Sequence, residues 1–163
     1  MWFLKANDQL WEKGIMLVEG PHAHTEIQFS DGKFFSSTTE LGPRFCDRKD
    51  LYDPDDKEWD IIEIPCTSDD ERFVRSLAEM ICKGLTGKAP GYGFNHIALD
   101  FLPIPISLSS PDKWICSESC VYVLQAIGLF MGWIPQQTSP HDAFKILTSE
   151  LQNWLKLRIE TCA

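Results

Sequence analysis

Two residues have the types and settings that thiol chemistry needs. Cys116 follows Trp114-Ile115 and precedes Ser117-Glu118-Ser119-Cys120, where a hydrophobic helix is expected to begin. A thiol at a helix start meets the positive end of the helix dipole and unpaired amide groups, which favour its ionised form. The same amides are natural donors to an oxyanion when a thiolate attacks a carbonyl. His24 opens the run His24-Thr-Glu-Ile-Gln-Phe, whose alternation puts His24, Glu26 and Gln28 on one strand face and Thr25, Ile27 and Phe29 on the other. An imidazole placed there suits a general base that reaches into a cleft. A metal reading competes for the same groups. Cys116 and Cys120 lie one helical turn apart and, with His22 and His24, make a four-ligand set by type, although the chain has no Cys-x-x-Cys pair. His22, beside Pro21, reads as loop, and His96 and His141 stand in turn-like contexts.

These groups need elements to hold them. Asn7 to Ile15 reads as a short amphipathic helix with Leu10, Trp11 and Ile15 on one side. Two β-rich runs, one from His24 to Phe29 and one from Lys33 to Thr38, flank Ser30-Asp31-Gly32 and read as a hairpin. Trp59-Asp-Ile-Ile-Glu-Ile is a third strand, ended by Pro65, which has no N–H for a ladder. Ser68 with Glu71 three residues on has the form of a capping box. Phe73, Leu77, Met80 and Ile81 then recur at helical spacing up to Gly84. Residues 88–111 are loop-rich, with a short irregular helix expected around Asn95 to Phe101. Trp114 to Phe130 is apolar nearly all round and reads as a buried central helix. Ser139 then caps a last helix, with Pro140 at its first position and Asp142 in its first turn, running to about Ile159. The resulting layout is α+β.

Length and charge bound the function classes. The chain's 163 residues suit one domain, 1–163, that buries a core without metal or disulfide. Fifteen Lys and Arg against 24 Asp and Glu give a net charge of −9, a field that repels phosphate backbones, so no nucleic-acid partner is expected. The acid-rich stretch from Asp47 to Glu58 reads as a solvated loop. No apolar run reaches the ~20 residues of a membrane span; the longest candidate, Val121 to Ile134, is too short and contains Gln125. The opening residues lack the basic-then-apolar order of a secretion signal, which points to the cytoplasm, of a host cell if the protein is viral, or to a virion. Six irregularly spaced cysteines in that setting read as reduced thiols. Nothing in the composition indicates an oligomeric state.

The order of short motifs resembles a known family. His24-Thr-Glu26-Ile, Ser36-Ser37, Gly42-Pro-Arg44, Trp59-Asp60, Tyr92 and Cys116-Ser-Glu118 follow one another as in the circularly permuted papain-like proteins of the NlpC type. That family has bacterial and phage members and resembles lecithin retinol acyltransferase. The match spans about residues 11 to 150, and its specificity lies in order and spacing rather than in any one motif. The resemblance implies a small antiparallel sheet packed on a central cysteine-bearing helix, with Cys116 as nucleophile and His24 as general base. It implies a thiol hydrolase acting on a peptide, isopeptide or acyl substrate, without a cofactor. The third catalytic group stays open among Ser36, Ser37, Glu40 and Glu26. Glu26 shares the His24 face, but two residues along a strand span ~6.6–7 Å, which requires a bent side chain. Tyr92 resembles a family tyrosine that helps bind an oxyanion. Two other readings share the scaffold: a lipid acyltransferase, and a non-catalytic viral or phage interaction module.

The cysteine spacing generates a first prediction. Thiol titration in denaturant without reductant is expected to count all six cysteines free; a count of four would establish a disulfide.

Overall fold

The protein is described by a computed structural model covering residues 1–5, 20–51, 59–84, 90–92 and 113–161. Five strands form one antiparallel sheet: β1 (Trp2–Lys5), β2 (His22–Gln28), β3 (Phe34–Thr38), β4 (Gly42–Cys46) and β5 (Trp59–Ile61), in the spatial order β4-β3-β2-β1-β5. Two short strands, β6 (Gly91–Tyr92) and β7 (Lys113–Trp114), pair in parallel. Among the described residues three α-helices complete the α+β fold: α1 (Ser68–Lys83), α2 (Cys116–Gln125) and α3 (Pro140–Thr161). Among the described residues no helix is long and apolar enough to cross a membrane. The expected helix at Asn7 to Ile15, the irregular helix at Asn95 to Phe101 and most of the Asp47 to Glu58 loop lie outside the described residues.

The hairpin forms where its turn chemistry placed it, with Phe29 and Lys33 bonded across Ser30-Asp31-Gly32 and Gly32 at φ 81°. Two strands of the large sheet, and the short β6 and β7 where loop and helix were expected, were not foreseen. Trp2–Lys5 enters the centre of the sheet between β2 and β5, and Gly42–Cys46 extends the hairpin into a meander. Neither segment shows long apolar alternation, and each is defined by its neighbours' free edges. The third strand ends at Ile61, earlier than Pro65, where pairing with the four-residue β1 runs out.

The α1 capping box is shifted one residue from Ser68 and Glu71. Thr67 is the N-cap: its Oγ1 accepts from Asp70 N at 3.2 Å while the Asp70 carboxylate accepts from Thr67 N at 2.9 Å. Glu71 is thereby freed to accept from Ser30 N at 2.7 Å, tying the hairpin turn to the helix. Gly84, φ 80°, ends α1. The stripe facing the core is Val74, Ala78 and Ile81, whereas Phe73 and Met80 are exposed. Two adjacent apolar stripes satisfy the same helical spacing, and contact with α2 selects between them. Helix α2 stops at Gln125, well short of Phe130. The Gln125 side chain donates to the carbonyls of Phe130 and Trp133, closing a turn that contains Gly128 at φ 85°. Helix α3 begins as expected, Ser139 Oγ accepting from Asp142 N at 3.1 Å.

The sheet has a core on each face. Phe3, Ile27, Phe29 and Phe35 pack with Val74, Ile81, Val121, Leu124 and Leu147 from the three helices. Trp2, Leu4, Phe34, Leu51 and Trp59 form the smaller cluster on the other face. A bulge in the β1–β2 ladder, where the register steps from Leu4↔His24 to Lys5↔His22, re-aims the start of β2. His22 is therefore a buried strand residue and not loop. It lies on Phe144 of α3, its Nε2 donates to Asp60 Oδ2 at 3.0 Å, and it meets His141 Nδ1 to Nδ1 at 2.9 Å.

This His22–His141 contact predicts acid sensitivity. Burial, then Lys145 and His22, lower the His141 pKa below its usual 6.5. A histidine depressed in the folded state binds fewer protons there than in the unfolded chain, so its contribution is present above pH 6.5 and lost as pH falls through the folded value. Urea midpoints are expected to drop between pH 6.5 and 5, and to drop less in His141→Asn. Asp60, whose carboxyl is held below its usual 3.8, acts only in a lower pH range.

Candidate active site

The site forms where two ladders part. Strand β2 pairs with β1 from His22 to Glu26, but among the described residues it pairs with β3 only at Ile27↔Phe35 and Gln28↔Phe34. Beyond that point β3 follows β4, and helix α2 begins in the opening. Side-chain bonds fasten it there. Ser37 Oγ donates to Trp114 O at 2.7 Å, Ser36 Oγ donates to Thr25 O at 2.6 Å, and Cys120 Sγ lies 3.8 Å from both Thr25 O and Phe35 O. Residues Cys116 to Val121 are all buried, so the helix start is lodged inside the fold and not on its surface. Glu118 helps to hold that start by accepting from Ile115 N at 3.4 Å. Tyr92 stands opposite Trp114 in the β6–β7 ladder, two residues before the cysteine.

His24 meets this helix start. Its Nε2 lies 3.0 Å from Glu26 Oε1, and its side chain is 12% exposed while that of Glu26 is 0% exposed. Burial of the ring opposes its charging. The Cys116 sulfur, by charge and by hydrogen bond, and then Glu26 outweigh that, and His24 is pushed up to about 10. Trp59 covers the ring edge-on, with centroids 6.3 Å apart. Arg44 Nη2 donates to the same Glu26 oxygen at 3.3 Å. The other thiols differ from Cys116 in surroundings. Burial, with Glu26 and Glu79 respectively, pushes Cys46 and Cys82 up to about 11, and burial raises Cys120 well above the usual thiol value.

The geometry sorts the expected residues. Cys116, His24 and Glu26 come together. Glu26 does reach His24: its Oε1 lies 3.0 Å from the ring Nε2, so the two side chains close the two-residue gap. The Ser36 hydroxyl donates to Thr25 O, bridging the parting strands, and the Ser37 hydroxyl donates to Trp114 O. Tyr92 is placed by its backbone beside the strand that leads into Cys116. The metal set does not assemble. The bulge turns His22 to the Asp60 and His141 side, away from His24, and among the described residues no three His, Cys, Asp or Glu are arranged to hold a metal ion. Arg44 is the site residue whose part the sequence reading missed; the only signal was its place in Gly42-Pro-Arg44. A cavity of about 490 Å³ lined by Ile27, Phe29, Ile62, Ile64, Val74 and Leu124, among others, contains neither Cys116 nor His24.

In comparisons with known proteins, the chain matches no family model, no curated protein and no solved structure. The chemistry of the site therefore rests on its own geometry.

The Ser37 bond generates a prediction. Ser37 and the carbonyl it serves join β3 to the strand preceding Cys116, and both are buried. Ser37→Ala leaves the carbonyl without that donor and is expected to cost about 1–3 kcal/mol in urea unfolding. A change within ~0.5 kcal/mol, the size of an ordinary surface substitution, would show the bond to be dispensable.

Proposed function

We propose that this protein is a thiol hydrolase of permuted papain-like type that cleaves an amide, isopeptide or ester bond through an acyl-enzyme. The observation that carries the proposal is the continuous line from Cys116 through His24 to Glu26 at the buried start of α2. A histidine whose charged form is stabilised by a neighbouring sulfur suits a thiolate–imidazolium pair, the resting state of an activated cysteine nucleophile. The order of elements also supports the fold, since the strand with the base precedes the helix with the nucleophile and that helix is central to the core.

The steps follow from these positions. The Cys116 thiolate adds to the substrate carbonyl carbon, and the carbonyl π pair moves to oxygen. First-turn amides of α2, which have no partner within the helix, face developing charge at that end. With His24 Nε2 held by Glu26, Nδ1 is the nitrogen left to give its proton to the leaving nitrogen or oxygen as the bond to carbon breaks. Water then attacks the thioester, His24 takes its proton, and the acid product leaves as the thiolate is regenerated. Glu26 fixes the ring orientation and stabilises the imidazolium without taking the proton. No step calls for a cofactor. The five described cysteines are free thiols, which suits work in a reducing setting such as the cytoplasm.

Limiting iodoacetamide at pH 6 tests the proposal. An ordinary thiol of pKa ~8.5 is only about 0.3% thiolate there, so a preformed thiolate gains up to several hundredfold. Cys116 is expected to label before Cys82 and before the exposed Cys66, although Cys116 is only 3% exposed. The sign of the His24 shift fixes the pH range. A raised imidazolium stays charged until pH passes about 10, so the pair should persist from pH 6 to 9 while the preference narrows as ordinary thiols ionise near pH ~8.5. His24→Ala should abolish it, and His141→Ala should not. Equal labelling of Cys116 and Cys82, or a His24→Ala rate equal to wild type, refutes the thiolate pair.

A further inference from the structure

Glu26 Oε1 is shared by two donors, His24 Nε2 at 3.0 Å and Arg44 Nη2 at 3.3 Å. The sharing is built into the ladder. Arg44 stands opposite Ser36 in the β3–β4 pairing, and Ser36 is one residue past the Phe35↔Ile27 pair, so Arg44 approaches Glu26 from two strands away. Strands lie ~4.8 Å apart, a gap that only a long cationic side chain spans. The contact is single-pronged: Arg44 Nη1 and Glu26 Oε2 are both buried and have no hydrogen-bond partner among the described residues. Arg44 thus acts on the one oxygen that also holds the imidazole, in direct competition with it.

Charge counting shows what this does. A Cys116 thiolate, a His24 imidazolium and a Glu26 carboxylate sum to −1, and that sum sits in a buried site. Among the described residues, Glu118 sits buried two residues past Cys116 with its carboxylate on Ile115 N, and Cys120 on α2 and Cys46 on β4 also feel Glu26. The two thiols are raised by burial, and both are neutral at neutral pH. Arg44 brings the sum over Cys116, His24 and Glu26 to zero. An unmatched charge inside a protein is expensive, and a net negative site holds a nearby proton more tightly.

We infer that Arg44 is a positioning residue of this site, its guanidinium cancelling the Glu26 charge so that His24 can release its proton to a leaving group as well as hold it. The inference rests on the Cys116–His24–Glu26 reading and deepens it. Without Arg44, the imidazolium that forms beside the thiolate is trapped between two negative groups. It then orients substrate and nucleophile as before but protonates a departing amine poorly. An ester, whose leaving oxygen depends less on that proton, suffers less.

The test is an NMR titration of the His24 ring in wild type, Arg44→Gln and Arg44→Lys. Removing a cation beside the imidazolium is expected to raise the His24 midpoint by roughly one pH unit in Arg44→Gln, whereas Arg44→Lys, which keeps the charge, stays near wild type. The ratio of amide to ester hydrolysis on one acyl group should fall in Arg44→Gln and recover in Arg44→Lys. If Arg44→Gln does not fold, Glu26→Gln and Glu26→Gln/Arg44→Gln replace the comparison. Neither leaves Glu26 charged and unmatched, and loss of Arg44 should again raise the midpoint. A His24 midpoint that stays put or falls on loss of Arg44 overturns the inference. Iodoacetamide labelling of the unaltered protein separates this from failure of the underlying reading. Preferential Cys116 labelling with an unmoved midpoint sinks the role of Arg44 alone, and absent preference sinks both.

Discussion

A carboxylate with no solvent exposure must be matched by positive charge where it sits, and Glu26 is such a carboxylate. It lies mid-strand, in the centre of the sheet, with β1 on one side and the parting β3 on the other. The match comes from two directions, along its own strand from His24 and across two strands from Arg44. Each partner is fixed by the requirement. His24 has its ring orientation set, and β4 has to be present to carry Arg44. A small sheet with two cores does not need a buried charge for stability, since apolar residues of similar volume serve as well or better. Its presence is best understood through what it does to the imidazole.

The second constraint is the lodging of α2. A helix start carries unpaired amides, and burying one without partners is costly. Here, among the described residues, Glu118 is the one acceptor for an amide at that end, and the serines meet carbonyls beside it. Ser37 serves the strand residue Trp114, Ser36 serves the carbonyl of Thr25, and Glu118 serves Ile115. The two serines at the end of the hairpin therefore have a structural office: Ser36 bridges the parting strands and Ser37 ties β3 to the strand that leads into α2. The opening between β2 and β3 is what lets Cys116 reach His24 from the helix side of the sheet, although the ring lies on the same strand face as Glu26, toward Trp59. Stability and site geometry depend on the same few hydrogen bonds.

The outer elements act on the site through β2. Its first residue, His22, is turned by the bulge onto Asp60 and His141 and so connects β5 and α3 to the strand that carries His24 two residues on. Adjacent histidines of one strand thus serve opposite faces. One orders the packing of α3, and the other meets the cysteine.

Much was legible in the residues because it depends on local rules. Alternation gave the His24 strand, Ser-Asp-Gly gave its turn, Ser139-Pro140 gave the start of α3, and a cysteine at the head of an apolar run gave the start of α2. These follow from backbone geometry and from the hydrogen-bonding of short polar side chains, which read only a few neighbours. What the tertiary structure alone decided depends on partners distant in the chain. Whether Ser36 or Glu26 serves His24 turns on where β3 leaves β2, and a serine beside a free carbonyl bonds the carbonyl. Whether His22 is loop or core turns on one extra residue in a ladder with Trp2–Lys5, a strand too short to announce itself. Whether Phe73 or Val74 faces inward turns on where α2 lies. Arg44 had only its place in Gly42-Pro-Arg44 to mark it, and its contact with Glu26 arises because folding sets β4 two strands from β2.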